Sequence, residues 1–321
     1  MHKRYLNHCT IELTLKPETP LLIKSGKEGA DPTKPDMEFI ETNHQGKRTI
    51  YLPGSSLKGA IRAHSERIIR TIGEERKPEN DYRLWANDPI HDNYEYLEKV
   101  KGNSKTIYKK SSFTEQIFGN TYVASRFRIE DAYPVEEIPI RIEERNGVAI
   151  DRVFGSVAFS PFNYQVCTEG EFKTKIHLKN FTLPQLGLIG LVLRDLNEGW
   201  FSLGFGKSRG LGEVSVKLKQ GMITYPSCIV ENNQMHFFGR DQTWSLNQLL
   251  GVSAFLSPKE SQEYGFPEAK TEQVEIPIRG EAMDLNFGVK LTFSGEEAVK
   301  TLLMRAVTAW KRFVEPQRSK T

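Results

Sequence analysis

Apolar and polar residues alternate over His8–Lys16, and this alternation predicts a β-strand with one buried face. After a Pro-Gly turn, the pattern changes to the spacing of a helix with one inward face. The positions of that face are Leu57, Ile61, Ser65, Ile68 and Ile72. Ser55 or Ser56 is expected to cap this helix and Gly73 to end it. The chain therefore begins with a strand and an amphipathic helix.

The later hydrophobic patterns predict a second set of elements. They are a strand over Thr49–Leu52, a helical turn over Phe113–Phe118, strands over Tyr122–Ala132 and Glu171–Asn180, and a strand within Phe201–Lys219. Ile138–Val157 predicts a β-hairpin that turns at Asn146-Gly147. Leu183–Asp195 is almost uniformly apolar, so we expect a buried helix there.

The order of these elements predicts the fold class. Strand, helix, strands, hairpin, strand, helix and strand form a ferredoxin-like or RRM-like core of the α+β class. The core is expected to span residues 1–219, with the hairpin at about 138–160. The polar, lysine-rich segment at about 74–112 is interpreted as an insertion. Residues 220–321 are interpreted as an extension that packs on the core or on neighbouring subunits.

Composition restricts the functional classes only in part. Lys and Arg total 44 against 41 Asp and Glu, so the net charge is only +3. A bound polyanion therefore requires that the basic groups gather on one face. The three cysteines lie far apart with no CxxC pair, which argues against a zinc knuckle or a disulfide framework. No long apolar run is present, so we expect a cytoplasmic protein that does not contact a membrane.

Two basic segments are candidates for binding phosphate. Lys58 and Arg62 lie one turn apart at the start of the predicted helix, where backbone N–H groups attract anions. Gly204–Gly212 holds four glycines together with Lys207 and Arg209, so its backbone amides are accessible to a ligand. The alternatives are an ordinary capped helix and a tight connection between strands.

An acidic loop and the predicted hairpin are two further candidates. Asp31 and Asp36 lie between two predicted strands, where a carboxylate can hold a divalent cation or be merely solubilising. The hairpin interleaves basic and apolar residues, a pattern that suits wedging between bases while arginines contact phosphates. Its candidate residues are Arg141, Arg145, Ile150, Arg152 and Phe154. A plain surface hairpin is the alternative.

The combination of YLPGSSLKGAIR at Tyr51–Arg62 with GFGKSRGLG at Gly204–Gly212 resembles the RAMP superfamily of CRISPR-associated proteins. IFGN at Ile117–Asn120 and IDRVFGSV in the hairpin resemble two further elements of that family. The resemblance covers about residues 8–219. More narrowly, the chain is similar to a backbone subunit of a type III effector complex of the Csm or Cmr kind. The long tail suggests a type III-D-like variant.

The resemblance implies a role for each candidate segment. The guide RNA would be held by Ser55, Ser56, Lys58, Arg62, Gly204, Gly206, Lys207, Arg209 and Gly210. The hairpin would be a thumb that pushes between bases. Asp36, with Asp31 as the second choice, would support cleavage of target RNA with Mg²⁺ or another divalent cation. The implied partners are guide RNA, target RNA, other RAMP backbone subunits and a large signature subunit.

Three alternatives remain open at this point. A purely structural, guide-binding subunit would have an inert aspartate loop. An endonuclease that processes CRISPR repeat RNA would favour a histidine catalyst and two tandem ferredoxin-like halves, which the tail does not resemble. A small-molecule enzyme on an RRM-like fold would need a pocket constellation that the sequence does not suggest.

Overall fold

The computed structural model describes residues 4–26, 35–75, 77, 84–88, 94–98, 100, 103–158 and 160–318. The strands are β1 (His8–Pro17), β2 (Glu41–His44), β3 (Lys47–Ile50), β4 (Phe127–Ile129), β5 (Tyr133–Pro134), β6 (Arg141–Gly147), β7 (Phe162–Glu169), β8 (Phe172–Lys179), β9 (Val214–Tyr225), β10 (Cys228–Glu231), β11 (Gln234–Phe237), β12 (Thr243–Ser245), β13 (Gln248–Leu250), β14 (Gln273–Glu275), β15 (Glu281–Ala282) and β16 (Val289–Ser294). The helices are α1 (Gly54–Ile72), α2 (Glu95–Glu98), α3 (Ser104–Lys110), α4 (Phe113–Phe118), α5 (Leu183–Asn197), α6 (Pro258–Tyr264) and α7 (Glu296–Arg318).

One antiparallel sheet organises the molecule. Its strand order is β15-β16-β9-β1-β8-β4, and β5 also pairs with β8. The four strands β9-β1-β8-β4, with α1 and α5 as the crossovers, have the order of a ferredoxin-like split βαβ fold. The predicted α+β class is therefore confirmed.

The core lies between the sheet and its helices. Alternate residues of β1, among them Ile11 and Leu13, are fully buried against this helical layer. Leu57 of α1 and Leu193 of α5 line one small cavity with Leu13. Each such buried side chain contributes about 1.5–3 kcal/mol of transfer free energy. The apolar face predicted for α1 therefore packs against the sheet, as expected.

The helix α5 is buried, as predicted, and its burial comes from two sides. One side of the helix meets the sheet and the other meets α7. A Cβ atom on Gly187 would lie 2.5 Å from the backbone oxygen of Ala306, so the two helices approach closely. Helix–helix contacts of this kind need a small residue at the crossing.

The extension after residue 219 contributes to the same sheet. β9 passes through residue 219 and continues to Tyr225, and β16 pairs along its second half. Among the described residues no helix is both long enough and apolar enough to cross a bilayer.

A buried arginine ties the insertion and the extension to the core. The Arg126 guanidinium lies 4.1 Å from the ring centre of Tyr108 and 5.5 Å from that of Phe266. Its Nη1 donates to the backbone oxygen of Asn180 at 2.7 Å. Tyr108 belongs to the insertion and Phe266 to the extension, so one side chain joins both to the sheet.

Two of the predicted strands differ from the structure. The strand expected over Tyr122–Ala132 is only β4, Phe127–Ile129, because residues 119–126 fold back to contact α4 through the bond from the Arg126 N–H to the Ile117 oxygen. The strand expected at Thr49–Leu52 is β3, Lys47–Ile50, which pairs with β2 in a small hairpin.

The predicted hairpin turn at Asn146-Gly147 is wrong. Both residues lie inside β6, where Asn146 is opposite Asn163 and Gly147 is opposite Phe162. The Phe162 ring covers Gly147, leaving no room for a Cβ atom there. The glycine therefore serves packing across the strands, and the chain turns later, between Asp151 and Ser156.

Candidate nucleic-acid interface

The start of α1 is capped by a side chain that lies just after β4. The helix begins at Gly54, and the Gly54 N–H donates to Asp131 Oδ1 at 2.7 Å. A Cβ atom on Gly54 would lie 2.5 Å from the Ile129 backbone oxygen, so the helix start sits tightly against the end of β4. The serine cap that the sequence suggested is wrong. Ser55 and Ser56 are exposed instead, with their side chains accessible to a ligand.

Lys58 and Arg62 point along one side of α1 toward residues 119–125. Lys58 Nζ donates to Ser125 Oγ at 3.0 Å. Arg62 Nε donates to Glu66 Oε1 at 2.9 Å, and its Nη1 donates to the Gly119 oxygen at 3.2 Å. Partial burial, and then the nearby Arg62 charge, lower the pKa of Lys58. The two cations are thus held in fixed positions, with part of their hydrogen-bonding capacity already used.

The glycine loop, Gly204–Gly212, depends on its glycines. Gly204, Gly206, Gly210 and Gly212 all have positive φ. A Cβ atom on Gly212 would lie 1.9 Å from the Leu203 oxygen, so only glycine fits there. Lys207 and Arg209 are exposed on the loop. The backbone can therefore approach a ligand closely while two cations stand beside it.

The glycine loop also carries an aromatic residue that the sequence reasoning missed. The Arg209 guanidinium lies 4.7 Å from the ring centre of Phe205, and Lys24 Nζ lies 5.5 Å from it. An aromatic residue between two glycines, flanked by basic residues, was the available signal in the sequence. Arg209 is thereby positioned by the ring while it remains exposed.

The glycine loop and the start of α1 lie on the same edge of the core. The Phe205 N–H donates to the Leu22 oxygen, and the Ile40 N–H donates to the Ile23 oxygen. The Tyr51 N–H in turn donates to the Ile40 oxygen. Three backbone hydrogen bonds therefore connect the loop to the residues that lead into α1. We call Gly54–Arg62 together with the glycine loop the loop–helix corner.

An aromatic ladder borders this corner, and no sequence motif indicates it. The His44 ring stacks on Tyr133 with centroids 3.7 Å apart, and Tyr133 lies 5.8 Å from Tyr51. The Tyr133 hydroxyl donates to Asp131 Oδ2 at 3.4 Å. The three residues come from three different strands or loops, so only the fold brings them together. Rings in such a row can stack with exposed bases.

The hairpin of β6 and β7 projects from the core, and we call it the thumb. Arg141 pairs with Glu169, and Arg145 approaches Glu143 at 3.9 Å, so both cations are partly neutralised. Arg152 is exposed near the end of the hairpin.

The thumb tip, residues 148–157, is unusually apolar. Val153 and Phe154 are 82% and 83% exposed, and Ile150 is 67% exposed. Asp151 Oδ1 accepts the N–H groups of Val153 and Phe154 at 2.8 Å each, which fixes the turn. An apolar cluster of this kind on a projecting hairpin is typical of a surface that is covered by a partner.

Asp36 lies beside Asn163 of β7, at the end of the β6–β7 ladder nearest the thumb tip. The Asn163 N–H donates to Asp36 Oδ2 at 2.9 Å, and the Asp36 N–H donates to Asn163 Oδ1 at the same distance. Asp31 lies outside the described residues. Within the described part of the chain, no three His, Cys, Asp or Glu side chains gather as a metal site. Asp36 is exposed and has a second carboxylate oxygen, which fits a cation that takes most of its ligands from substrate phosphates and water.

The cysteines do not provide a nucleophile. Cys9, Cys167 and Cys228 are all free and buried. Burial raises the pKa of the Cys167 thiol to about 11 and also raises that of Cys9. A reactive cysteine needs the opposite shift of its pKa.

Comparison with known families places the chain. The model of the RAMP superfamily matches residues 14–215, well over half of the chain. This range contains both segments of the loop–helix corner and the whole thumb. No curated protein matches the chain.

Proposed function

Since the chain belongs to the RAMP superfamily, whose members bind CRISPR RNA within multi-subunit complexes, we propose that it is a guide-RNA-binding backbone subunit of a type III effector complex. The observation that carries this proposal is the loop–helix corner. There, two basic segments about 140 residues apart in sequence are linked by backbone hydrogen bonds that run through Leu22, Ile23 and Ile40. Other RAMP subunits and a large signature subunit are the proposed protein partners.

The corner would bind guide RNA through its phosphates. The N–H groups of Ser55 and Ser56, in the first turn of α1, attract a phosphate oxygen because they have no partner within the helix. Gly210 leaves the loop backbone open, and the Arg209 charge is positioned by Phe205. Such contacts do not read sequence, which suits guides of variable sequence.

The thumb would separate neighbouring bases. Phe154 and Val153 offer an apolar edge to a base step, and Arg152 is placed to meet a phosphate. Insertion would cover the apolar side chains that the isolated chain leaves in water. The displaced nucleotide would then be strained relative to its neighbours.

Asp36 would contribute to cutting of the target strand. In that reaction the 2′-hydroxyl gives its proton to water and its oxygen bonds to the adjacent phosphorus, while the bond to the 5′-oxygen breaks and that leaving oxygen takes a proton from water. A divalent cation such as Mg²⁺ would supply stabilisation of the charge that develops on the phosphate. Asp36 would hold the cation, and Asn163 would hold Asp36 in place.

A structural subunit without cleavage is the second candidate. The reciprocal bonds between Asp36 and Asn163 hold the loop after β1 against the thumb. This structural role requires no catalysis by Asp36. The two candidates share RNA binding and differ only in the role of the Asp36 carboxylate.

The test of guide binding removes the two helix cations. We expect Lys58→Ala with Arg62→Ala to weaken binding of guide RNA and to reduce the slope of log K against log salt by about 1.4, at about 0.7 per lost phosphate contact. Binding is measured by fluorescence anisotropy over a salt series, and urea unfolding checks that the variant folds. An unchanged slope in a folded variant would remove the corner from the proposal.

The test of cleavage compares two substitutions of Asp36 in the assembled complex with guide and complementary RNA. Asp36→Asn keeps an acceptor for the Asn163 N–H, whereas Asp36→Ala removes it. If the carboxylate is catalytic, both variants lose one cut of the regularly spaced ladder while target binding persists. If Asp36→Asn cuts normally, the structural candidate is favoured and the carboxylate is only a brace.

A further inference from the structure

The extension presents an exposed apolar cluster beside β15, the edge strand of the sheet that lies farthest from β4. Leu285, in the connection between β15 and β16, is 98% exposed. Phe287 of the same connection and Phe238, between β11 and β12, are 49% and 60% exposed. The two phenyl rings meet edge to face, with their centres 5.4 Å apart. We call these three residues the extension patch.

Backbone hydrogen bonds hold the extension patch at the surface. The Gly288 N–H donates to the Cys228 oxygen, and the Phe238 N–H donates to the Ser227 oxygen, so both segments are anchored at the start of β10. The Met283 N–H donates to the Gly288 oxygen and closes the connection between β15 and β16. The fold therefore fixes the apolar side chains at the surface before any partner binds.

Leu285 also has an unfavourable backbone conformation. Its φ and ψ are 65° and 13°, in the left-handed region, and Asn286 follows with a φ of 55°. Glycine or asparagine suits both positions of such a turn, whereas the Cβ atom of leucine comes too close to the following carbonyl oxygen. Because Leu285 is almost wholly exposed, contacts within the chain do not compensate for this strain. A leucine at this position therefore points to a contact outside the chain.

The extension patch has one charge of each sign beside it. Asp284 comes directly before the exposed leucine, and Arg240 follows Phe238 by two residues; both charged residues are exposed. Arg240 Nη1 donates to the Phe255 oxygen at 3.2 Å, and its guanidinium lies 4.9 Å from the ring centre of Phe237. Neither charged group forms an ion pair with another described residue. The patch thus combines a projecting leucine beside a carboxylate with an aromatic pair beside a guanidinium.

The size of the extension patch suits the centre of a protein interface. Its three side chains expose an area on the order of 400 Å², within the range of about 300–600 Å² for the largest patch of a typical monomer. A stable interface buries about 800 Å² on each partner, so the patch can supply the apolar centre and its polar surroundings the rim. RNA suits the patch less, because the Asp284 carboxylate beside Leu285 repels phosphate.

We propose that the extension patch is the interface of a two-fold symmetric dimer of this chain, an inference that goes beyond the proposed function and does not depend on it. In such a dimer the same patch of both copies is used, so every contact between two different elements occurs twice. Leu285 of one copy packs on the rings of Phe238 and Phe287 of the second copy, and Asp284 meets Arg240. One surface that carries both halves of each complementary pair is self-complementary, which is what two-fold symmetry requires.

The first test measures association of the full chain, free of RNA, by sedimentation velocity at about 1 to 100 μM, which spans a micromolar dissociation constant. We expect the mass to rise with concentration from the 36.7 kDa of one chain toward twice that value. Leu285→Asn removes the apolar contact, so the dissociation constant is expected to rise about tenfold or more. Asparagine tolerates the left-handed backbone, so the urea midpoint of the dilute, monomeric variant should equal or exceed that of the wild type. A wild-type chain that stays monomeric throughout overturns the proposal and assigns the patch to a different protein.

The thumb tip supplies the matched control, because it is the other exposed apolar cluster of the chain. Val153→Ser with Phe154→Ser is expected to leave the dimer intact. Loss of the dimer in this variant, with a dimer retained in Leu285→Asn, would assign self-association to the thumb tip and overturn the proposal. Leu285→Asn is also expected to keep the wild-type salt dependence of RNA binding, so failure here is distinguishable from failure of the loop–helix corner.

A charge exchange tests the two-fold arrangement itself. In a homodimer, Asp284→Arg brings two guanidinium groups together, and Arg240→Asp brings two carboxylates together, so each variant alone should dimerise more weakly than the wild type. An equal mixture of the two variants restores opposite charges at both contacts, and we expect it to dimerise as the wild type does. A mixture that dimerises no better than the separate variants contradicts this arrangement, as does wild-type dimerisation by each variant alone.

Discussion

The loop–helix corner and the thumb tip differ in how their functional side chains are held. At the corner, Lys58 bonds Ser125, and Arg62 bonds Glu66 and Gly119, so their positions are set before RNA arrives. At the thumb tip, Val153 and Phe154 are more than four-fifths exposed. Pre-set charges lose little entropy on binding, whereas an exposed apolar tip gains its stabilisation only when a partner covers it. Substitutions at the corner should therefore affect folding and binding, and those at the tip binding alone.

The largest expected effect tests the rigidity of the corner. Gly212→Ala places a methyl group 1.9 Å from the Leu203 oxygen in a backbone with positive φ, so we expect a loss of about 3 kcal/mol or more of stability. Gly210→Ala is the matched control because Gly210 also has positive φ but faces open space. There we expect a loss of about 1 kcal/mol. Urea unfolding of both variants measures the difference, and equal losses would contradict the packing argument.

The next effect tests the thumb tip. Val153→Ser with Phe154→Ser is expected to change stability by no more than about 0.5 kcal/mol, because both side chains are exposed. Binding of RNA in the assembled complex should weaken by about 1–3 kcal/mol, the range for loss of one stacked aromatic ring. Phe238→Ser, which removes a 60% exposed ring in the extension, is the control. A tip variant that binds RNA normally would show that the thumb tip contacts a partner other than RNA.

The smallest expected effect concerns the Asp131 cap. Asp131→Asn keeps an acceptor for the Gly54 N–H but removes a negative charge beside the helix start. We expect a loss of about 0.5 kcal/mol in stability and a gain in RNA affinity of about two- to fivefold, from the typical size of a charge effect at a helix end. Asp131→Ala should destabilise by about 1 kcal/mol. Weaker RNA binding by Asp131→Asn would show that no phosphate approaches this helix start.

Part of the corner was predictable because the signals are local. Glycine-rich spacing favours positive φ, and Gly204 and Gly206 have it. A spacing of four residues places two cations one turn apart on a helix, and Lys58 and Arg62 both lie in α1 at that spacing. Their partners were not predictable. Asp131 and Ser125 lie 67 or more residues away from the helix residues that they contact, so sequence spacing carries no information about them.

The sequence alone determined the periodic elements. The alternation in β1 encodes burial of one face, and the apolar run of α5 encodes burial on nearly all sides. It also determined the apolar character of the thumb tip. Only the tertiary structure decided where the thumb turns, because the packing of Phe162 over Gly147 outweighs the local preference of Asn-Gly for a turn. It also decided that lysines scattered along the chain share one face of the sheet, since strand register is set by long-range pairing.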